Sequence, residues 1–317
     1  MITGISLALG SGLLFASGNL AQKRGVDALR RFTFQRPIST LASLLRSRIW
    51  LLGAVLSVAG AGTQLAAYRF ASIAVVQSIS GFGIIILLVV PRSLFGERPT
   101  RHEFSGAILA LIAFGLVVAS VAGNGQVSGT HFVSARTEYA MIAMTVFAAS
   151  ALSLGLQKRH AGGALYGLSS GTLYGAMGIG LKGASNAFAS SDVRSAAVHL
   201  LTGPIPYSVL VAWIFALLVF QIGIQRSRLS VVAPLSSVVT MVSVITVGTP
   251  LFGERWPSST LYFSLRVVGV VTILIALALA LYPTRGQERA APAALSQEES
   301  KVSRGSVAID DIVDRIE

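Results

Sequence analysis

Apolar residues in this chain fall into nine long runs, and short polar stretches between them hold nearly all the charge. A membrane-spanning helix needs about 20 mostly apolar residues. Runs of that kind lie at about 4–22, 49–69, 73–92, 104–123, 138–157, 163–185, 206–225, 229–250 and 260–282. The pattern also repeats. Leu94-Phe95-Gly96-Glu97-Arg98 returns as Leu251-Phe252-Gly253-Glu254-Arg255, an offset of 157. Ile73 to Ser80 lines up with Leu229 to Ser236 at offset 156. Gly4, Ala8, Gly12 and Ala16 line up with Gly163, Gly167, Gly171 and Gly175 at offset 159, which also puts Lys23 on Lys182. Near-constant offsets in chain order are what one duplicated unit with small insertions leaves behind, and such duplication marks many transporter folds.

Four helices per copy with one helix between them turn the second copy upside down. The expected fold is therefore an all-α integral membrane protein. It has about nine transmembrane helices in two inverted four-helix repeats joined by a connecting helix. The first repeat is expected at 1–123, the connecting helix at 124–162, the second repeat at 163–282 and a disordered cytoplasmic tail at 283–317. Within that tail, Ile309, Ile312, Val313 and Ile316 have the spacing of a short amphipathic helix. Before the second run, Leu41, Leu44 and Leu45 beside Arg46 and Arg48 read as an interfacial lead-in.

Composition sharpens the class. The 317 residues are 53% hydrophobic and only 12% charged, against roughly 25% charged in a soluble domain. The net charge of +12 would suggest nucleic acid in a soluble protein. Here it follows the loops: Lys23, Arg24, Arg30, Arg31, Arg36, Arg46, Arg48, Arg98, Arg101, Lys158, Arg159, Arg226 and Arg228 all fall on one side when nine spans alternate. The positive-inside rule then sets the N-terminus outside and the C-terminus cytoplasmic, in a multi-pass protein of the plasma or inner membrane. The first run lacks a basic leader and is expected to be retained. There are no cysteines, so no thiolate site and no cysteine nucleophile.

The doubled Gly-Glu-Arg in a nine-to-ten-helix inverted repeat resembles the EamA-like group of the drug/metabolite transporter superfamily. Locally, Gln22-Lys23-Arg24-Gly25, Ala66-Ala67-Tyr68-Arg69-Phe70-Ala71 and Ile179-Gly180-Leu181-Lys182-Gly183 resemble NIPA-type magnesium transporters. The superfamily resemblance implies alternating-access movement of a small solute, and the local one implies Mg²⁺.

The small-residue stripes Gly4, Ala8, Gly12, Ala16 and Gly163, Gly167, Gly171, Gly175 are the expected helix-packing faces, since small residues four apart let backbones approach closely in lipid. The acidic residues lie in loops, at helix ends or in the tail. Mg²⁺ prefers oxygen ligands that usually include a carboxylate, so a mid-membrane metal site is not expected. Glu97 and Glu254 are expected to pair with the adjacent Arg98 and Arg255, while Gly96 and Gly253 close the preceding helices. Lys23, Lys182 and Arg266 are expected to snorkel to the interfaces. The substrate-binding candidates are mid-depth polar groups: Gln64, Gln77, Tyr174 and Gln221, with the Ser230 carbonyl freed by Pro234. An enzyme is not expected, because all four histidines lie outside the core and no Asp pair is intramembrane.

The reading is a secondary transporter moving a small neutral or weakly charged solute. The alternatives are Mg²⁺ or another divalent cation, and, less favoured, a non-transporting receptor. Expected partners are the lipid bilayer and the solute. A homodimer is allowed for, and neither nucleic acid nor a cofactor is expected.

Overall fold

Helices account for every regular element seen among the described residues of the computed structural model. It describes residues 2–29, 37–97, 100–122, 134–157, 162–190, 198, 202–203, 205–254 and 257–281. In chain order the helices are α1 (Ile2–Asp27), α2 (Pro37–Arg46), α3 (Arg48–Ala67), α4 (Ile73–Gly81), α5 (Ile84–Phe95), α6 (Arg101–Ala122), α7 (Ser134–Gln157), α8 (Gly163–Ser190), α9 (Ile205–Arg226), α10 (Leu229–Ser243), α11 (Thr249–Leu251) and α12 (Thr260–Leu281). A π-helical turn, Val244–Gly248, joins α10 to α11. Among the described residues, seven stretches are long and apolar enough to cross a membrane: α1, α3, Ile73–Phe95, Arg101–Ser120, Pro206–Arg226, Leu229–Leu251 and Thr260–Leu279. The lipid-ready surface is visible on α3, where Leu52, Val55 and Val58 are all exposed. The all-helical membrane class expected from the sequence is therefore what is found. The third apolar run is not one helix: it breaks at Phe82–Gly83 between α4 and α5. The expected tail, its amphipathic segment, Arg98 and Arg255 lie outside the described residues.

Helix α1 packs on α3 and α4, and α8 packs on α9, α10 and α7. Glycines set these crossings. An ideal Cβ at Gly12 would overlap the Ser80 carbonyl oxygen, and one at Gly171 would come within 2.6 Å of the Ser236 carbonyl oxygen. Real Cβ atoms do not approach a backbone oxygen so closely, so only glycine fits. The neighbouring hydroxyls then meet: Ser11 and Ser80 Oγ lie 2.7 Å apart, and Ser170 Oγ donates to Ser236 Oγ at 3.2 Å. At the helix starts, a Cβ at Gly4 would lie 3.0 Å from Ala71, and one at Gly163 would lie 3.0 Å from Ser227.

The direction of the two central helices follows from their end contacts. Helix α1 starts beside Phe70 and Ala71, and its Lys23 Nζ donates to the Ile224 carbonyl at 2.6 Å. Helix α8 starts beside Ser227, and its Lys182 Nζ donates to the Tyr68 carbonyl at 3.1 Å. The two helices thus run in opposite directions between the same two ends. Nineteen residues separate Gly4 from Lys23, about 28 Å at the helical rise. That is close to the ~30 Å hydrocarbon thickness.

Candidate functional site

Helices α1, α3, α4, α5, α8, α9 and α10 surround a central cavity of about 120 Å³. From α1 come Gly12, Phe15, Ala16, Asn19 and Gln22. Their spacing of three and four residues puts them on one helix face. Ser57 and Gln64 enter from α3, Gln77 and Ser80 from α4, Tyr174 and Met177 from α8, Trp213 from α9, and Ser236, Ser237 and Thr240 from α10. The α4–α5 break places Gly81 and Gly83 on the wall. The polar lining is amide, hydroxyl, phenol and indole, and among the described residues no carboxylate, lysine or arginine joins it.

These polar groups hold one another in place. Gln22 Nε2 donates to Ser57 Oγ at 3.0 Å, and Gln22 Oε1 accepts a short hydrogen bond from Gln221 Nε2. Gln77 Nε2 donates to Tyr68 Oη at 2.8 Å. Thr240 Oγ1 donates to the Gly171 carbonyl at 2.9 Å, and Tyr174 stacks edge-on against Phe220 with centroids 6.0 Å apart. Buried amides and hydroxyls need such partners in an apolar surround.

Of the residues singled out from the sequence, Gln64, Gln77 and Tyr174 line this cavity together. Gln221 stands behind the wall, fully buried against Gln22. Ser230 and Pro234 lie elsewhere, on a crevice of about 20 Å³ with Glu103 and Ala276. Sequence reasoning missed Asn19, Gln22, Ser57 and Trp213. The α1 face spacing from Gly12 to Gln22 was the available signal for two of them.

The charged groups near the cavity ends differ from expectation. Lys23 is 7% exposed, Lys182 0% and Arg266 3%, so none of the three snorkels. Lys23 also pairs with Asp27 at 2.8 Å. Gly96 and Gly253 have φ of 66° and 65°, the left-handed closure that favours glycine. This closure turns each following glutamate toward a distant helix. Glu97 accepts from the Leu229 and Ser230 amides at 2.9 and 2.8 Å. Glu254 accepts from the Ile73 amide at 2.6 Å. Burial pushes the Glu254 carboxyl above its ordinary value, against the Ile73 hydrogen bond and the nearby Lys182 and Arg266 charges.

The family model described as Magnesium transporter NIPA matches residues 1–285. The chain belongs to the NIPA magnesium transporter family. Among NIPA relatives, the human Magnesium transporter NIPA3 is 24% identical over 131 residues, 41% of this chain and 32% of that protein. That match spans about a third of the human protein's length. An Arabidopsis thaliana protein described as Probable magnesium transporter NIPA9 is 22% identical over 280 residues, covering 84% of this chain and 78% of the relative. No solved structure matches the chain. NIPA membership places the chain in a family of membrane transporters, which is not an enzyme family. It also favours the divalent-cation alternative over the neutral solute that led the sequence reading.

Proposed function

We propose that this protein carries Mg²⁺ across the membrane as a hydrated ion, by alternating access through the central cavity. Membership of the magnesium transporter family carries the reading, and the cavity chemistry supports it. Mg²⁺ holds six ligands in octahedral geometry and loses water reluctantly. Amide and hydroxyl oxygens suit hydrogen bonds from coordinated water. Gln64, Gln77 and Tyr174 contact the hydrated ion in this reading, together with Asn19 and Gln22, while Gln221 fixes Gln22. The uncharged lining favours a neutral solute as the second reading.

Mg²⁺ flux into proteoliposomes, read by a trapped Mg²⁺-sensitive fluorophore, tests this. Gln64→Leu is expected to raise the KM for Mg²⁺ by roughly 3- to 30-fold, the equivalent of losing one membrane-buried hydrogen bond of about 0.6–2 kcal/mol. Folding should be nearly unaffected. No Mg²⁺ flux from folded protein, with flux of a neutral solute from a labelled panel, would replace the first reading with the second.

The proposed architecture is two inverted four-helix copies joined by α7, in the plasma or inner membrane with the N-terminus outside. Its support is the set of contacts that recur at offsets of 156–159: Gly12–Ser80 with Gly171–Ser236, Lys23–Ile224 with Lys182–Tyr68, and Glu97–Leu229 with Glu254–Ile73. The chain has no native cysteine, so single cysteines report topology cleanly. Thr130→Cys is expected to react with an impermeant maleimide added outside, and His160→Cys only from inside. Equal labelling of both from one side would refute the inverted topology.

A further inference from the structure

The two glutamates of the repeated string do something the cavity reading does not use. Each crosses to the other half of the molecule. Glu97 lies after α5 and caps the start of α10. Glu254 lies after α11 and caps the start of α4. Helix α10 needs that cap: its own N-cap residue, Arg228, makes no side-chain capping bond. A helix start exposes backbone amides and partial positive charge, so a carboxylate there is held by charge-assisted hydrogen bonds. The lysines cross the same way in the opposite sense. Lys23 reaches the carbonyl of Ile224 at the end of α9, and Lys182 reaches the carbonyl of Tyr68 at the end of α3.

These contacts form two groups. One holds Lys23, Glu97, Ile224 and Leu229. The other holds Lys182, Glu254, Tyr68 and Ile73. The groups lie at opposite ends of α1, about 28 Å apart, which puts one at each membrane face. Between them lies the cavity, with Gln22 next to Lys23 at one end and Gln77 bonded to Tyr68 at the other.

We propose that Glu97 and Glu254 are positioning residues for transport, each a carboxylate latch that holds its own mouth shut by capping a helix of the opposite half. Both latches are made in this structure. Opening a mouth separates the halves at that face, so the carboxylate there must release its amides while the other stays bound. Each half contributes one latch and receives the other. Weakening a single latch should therefore shift the conformational equilibrium toward one face alone. The inference rests on alternating access and is independent of which solute is carried.

The test uses the full-length protein with Ser237→Cys as a reporter on the cavity wall, in sealed vesicles of each orientation. An impermeant maleimide is added from one side at a time. Glu97→Gln keeps an acceptor oxygen but loses the charge. It is expected to raise labelling through the Glu97 face by about tenfold, matching the loss of a hydrogen bond to a charged group, and to leave the other face unchanged. Glu254→Gln should do the reverse. Lys182→Met should raise labelling through the same face as Glu254→Gln, and it keeps the proposal testable should either glutamine variant fail to fold. A merely structural role would give unchanged labelling, or equal changes at both faces, and either result overturns the proposal. Absence of Mg²⁺ flux from the unsubstituted protein, with the two-faced labelling pattern intact in the variants, would instead count against the substrate reading and leave the latches standing.

Discussion

Gly12→Ala and Gly171→Ala are each expected to cost about 3 kcal/mol, the upper end of what an added core methyl usually costs. The reason is what the methyl meets. At Gly12 it overlaps the Ser80 carbonyl oxygen, and at Gly171 it sits 2.6 Å from that of Ser236. A flexible side chain could turn aside, whereas a helix backbone moves only as a whole. Separating the helices also breaks the Ser11–Ser80 or Ser170–Ser236 hydroxyl contact. Gly62 and Gly115 serve as controls, because a Cβ at either meets nothing within 4 Å. Alanine there should be neutral or slightly stabilising, given its better helix propensity. Thermal unfolding of the four variants in one detergent decides the matter, and equal melting temperatures would refute the packing argument.

Lys182→Ala is the second large effect, expected to lower stability by about 3–5 kcal/mol. Lys182 is fully buried, its Nζ bonded to the Tyr68 carbonyl and 5.8 Å from the Tyr68 ring centroid. Truncation removes the donor and opens a cavity along the stem. Lys182→Met keeps most of that volume and should lose only about 1–2 kcal/mol. The gap between the two variants is the informative quantity. A lysine that merely snorkelled would give two small, similar losses.

Much of this fold was legible because apolar runs of spanning length need no partner to be recognised. The glycine stripes were legible too, since small residues four apart imply close crossings whatever lies opposite. The cavity was read in part. Gln64, Gln77 and Tyr174 stand out as polar residues at mid-depth. Asn19 and Gln22 were hidden near the end of a long helix, where polar residues are ordinary. The ends of the cavity were misread for a different reason. A lysine beside a helix end usually faces water, whereas Lys23 and Lys182 here reach backbone carbonyls, and Glu97 and Glu254 accept from backbone amides. A backbone group carries no residue-specific signature, so nothing in the string Leu-Phe-Gly-Glu-Arg announces which distant helix its glutamate will cap. Arg266 escaped in the same way: it is buried, with its charge near Glu254 at the start of α4.

The reciprocal caps also set a timetable for biosynthesis. The Ile73 amide and the Glu254 carboxylate that satisfies it are 181 residues apart. At about 5–20 residues/s, a ribosome needs roughly 9–36 s to travel between them. For that interval the newly inserted N-terminal half holds an Ile73 amide without its carboxylate, the start of α4 being held only by Ser72 capping Val75, and its Tyr68 carbonyl waits 114 residues for Lys182. Its own Glu97, meanwhile, waits for residues 229 and 230. The N-terminal half is thus a natural client for whatever shields polar backbone during insertion, and ribosome stalling between the halves would expose it longest.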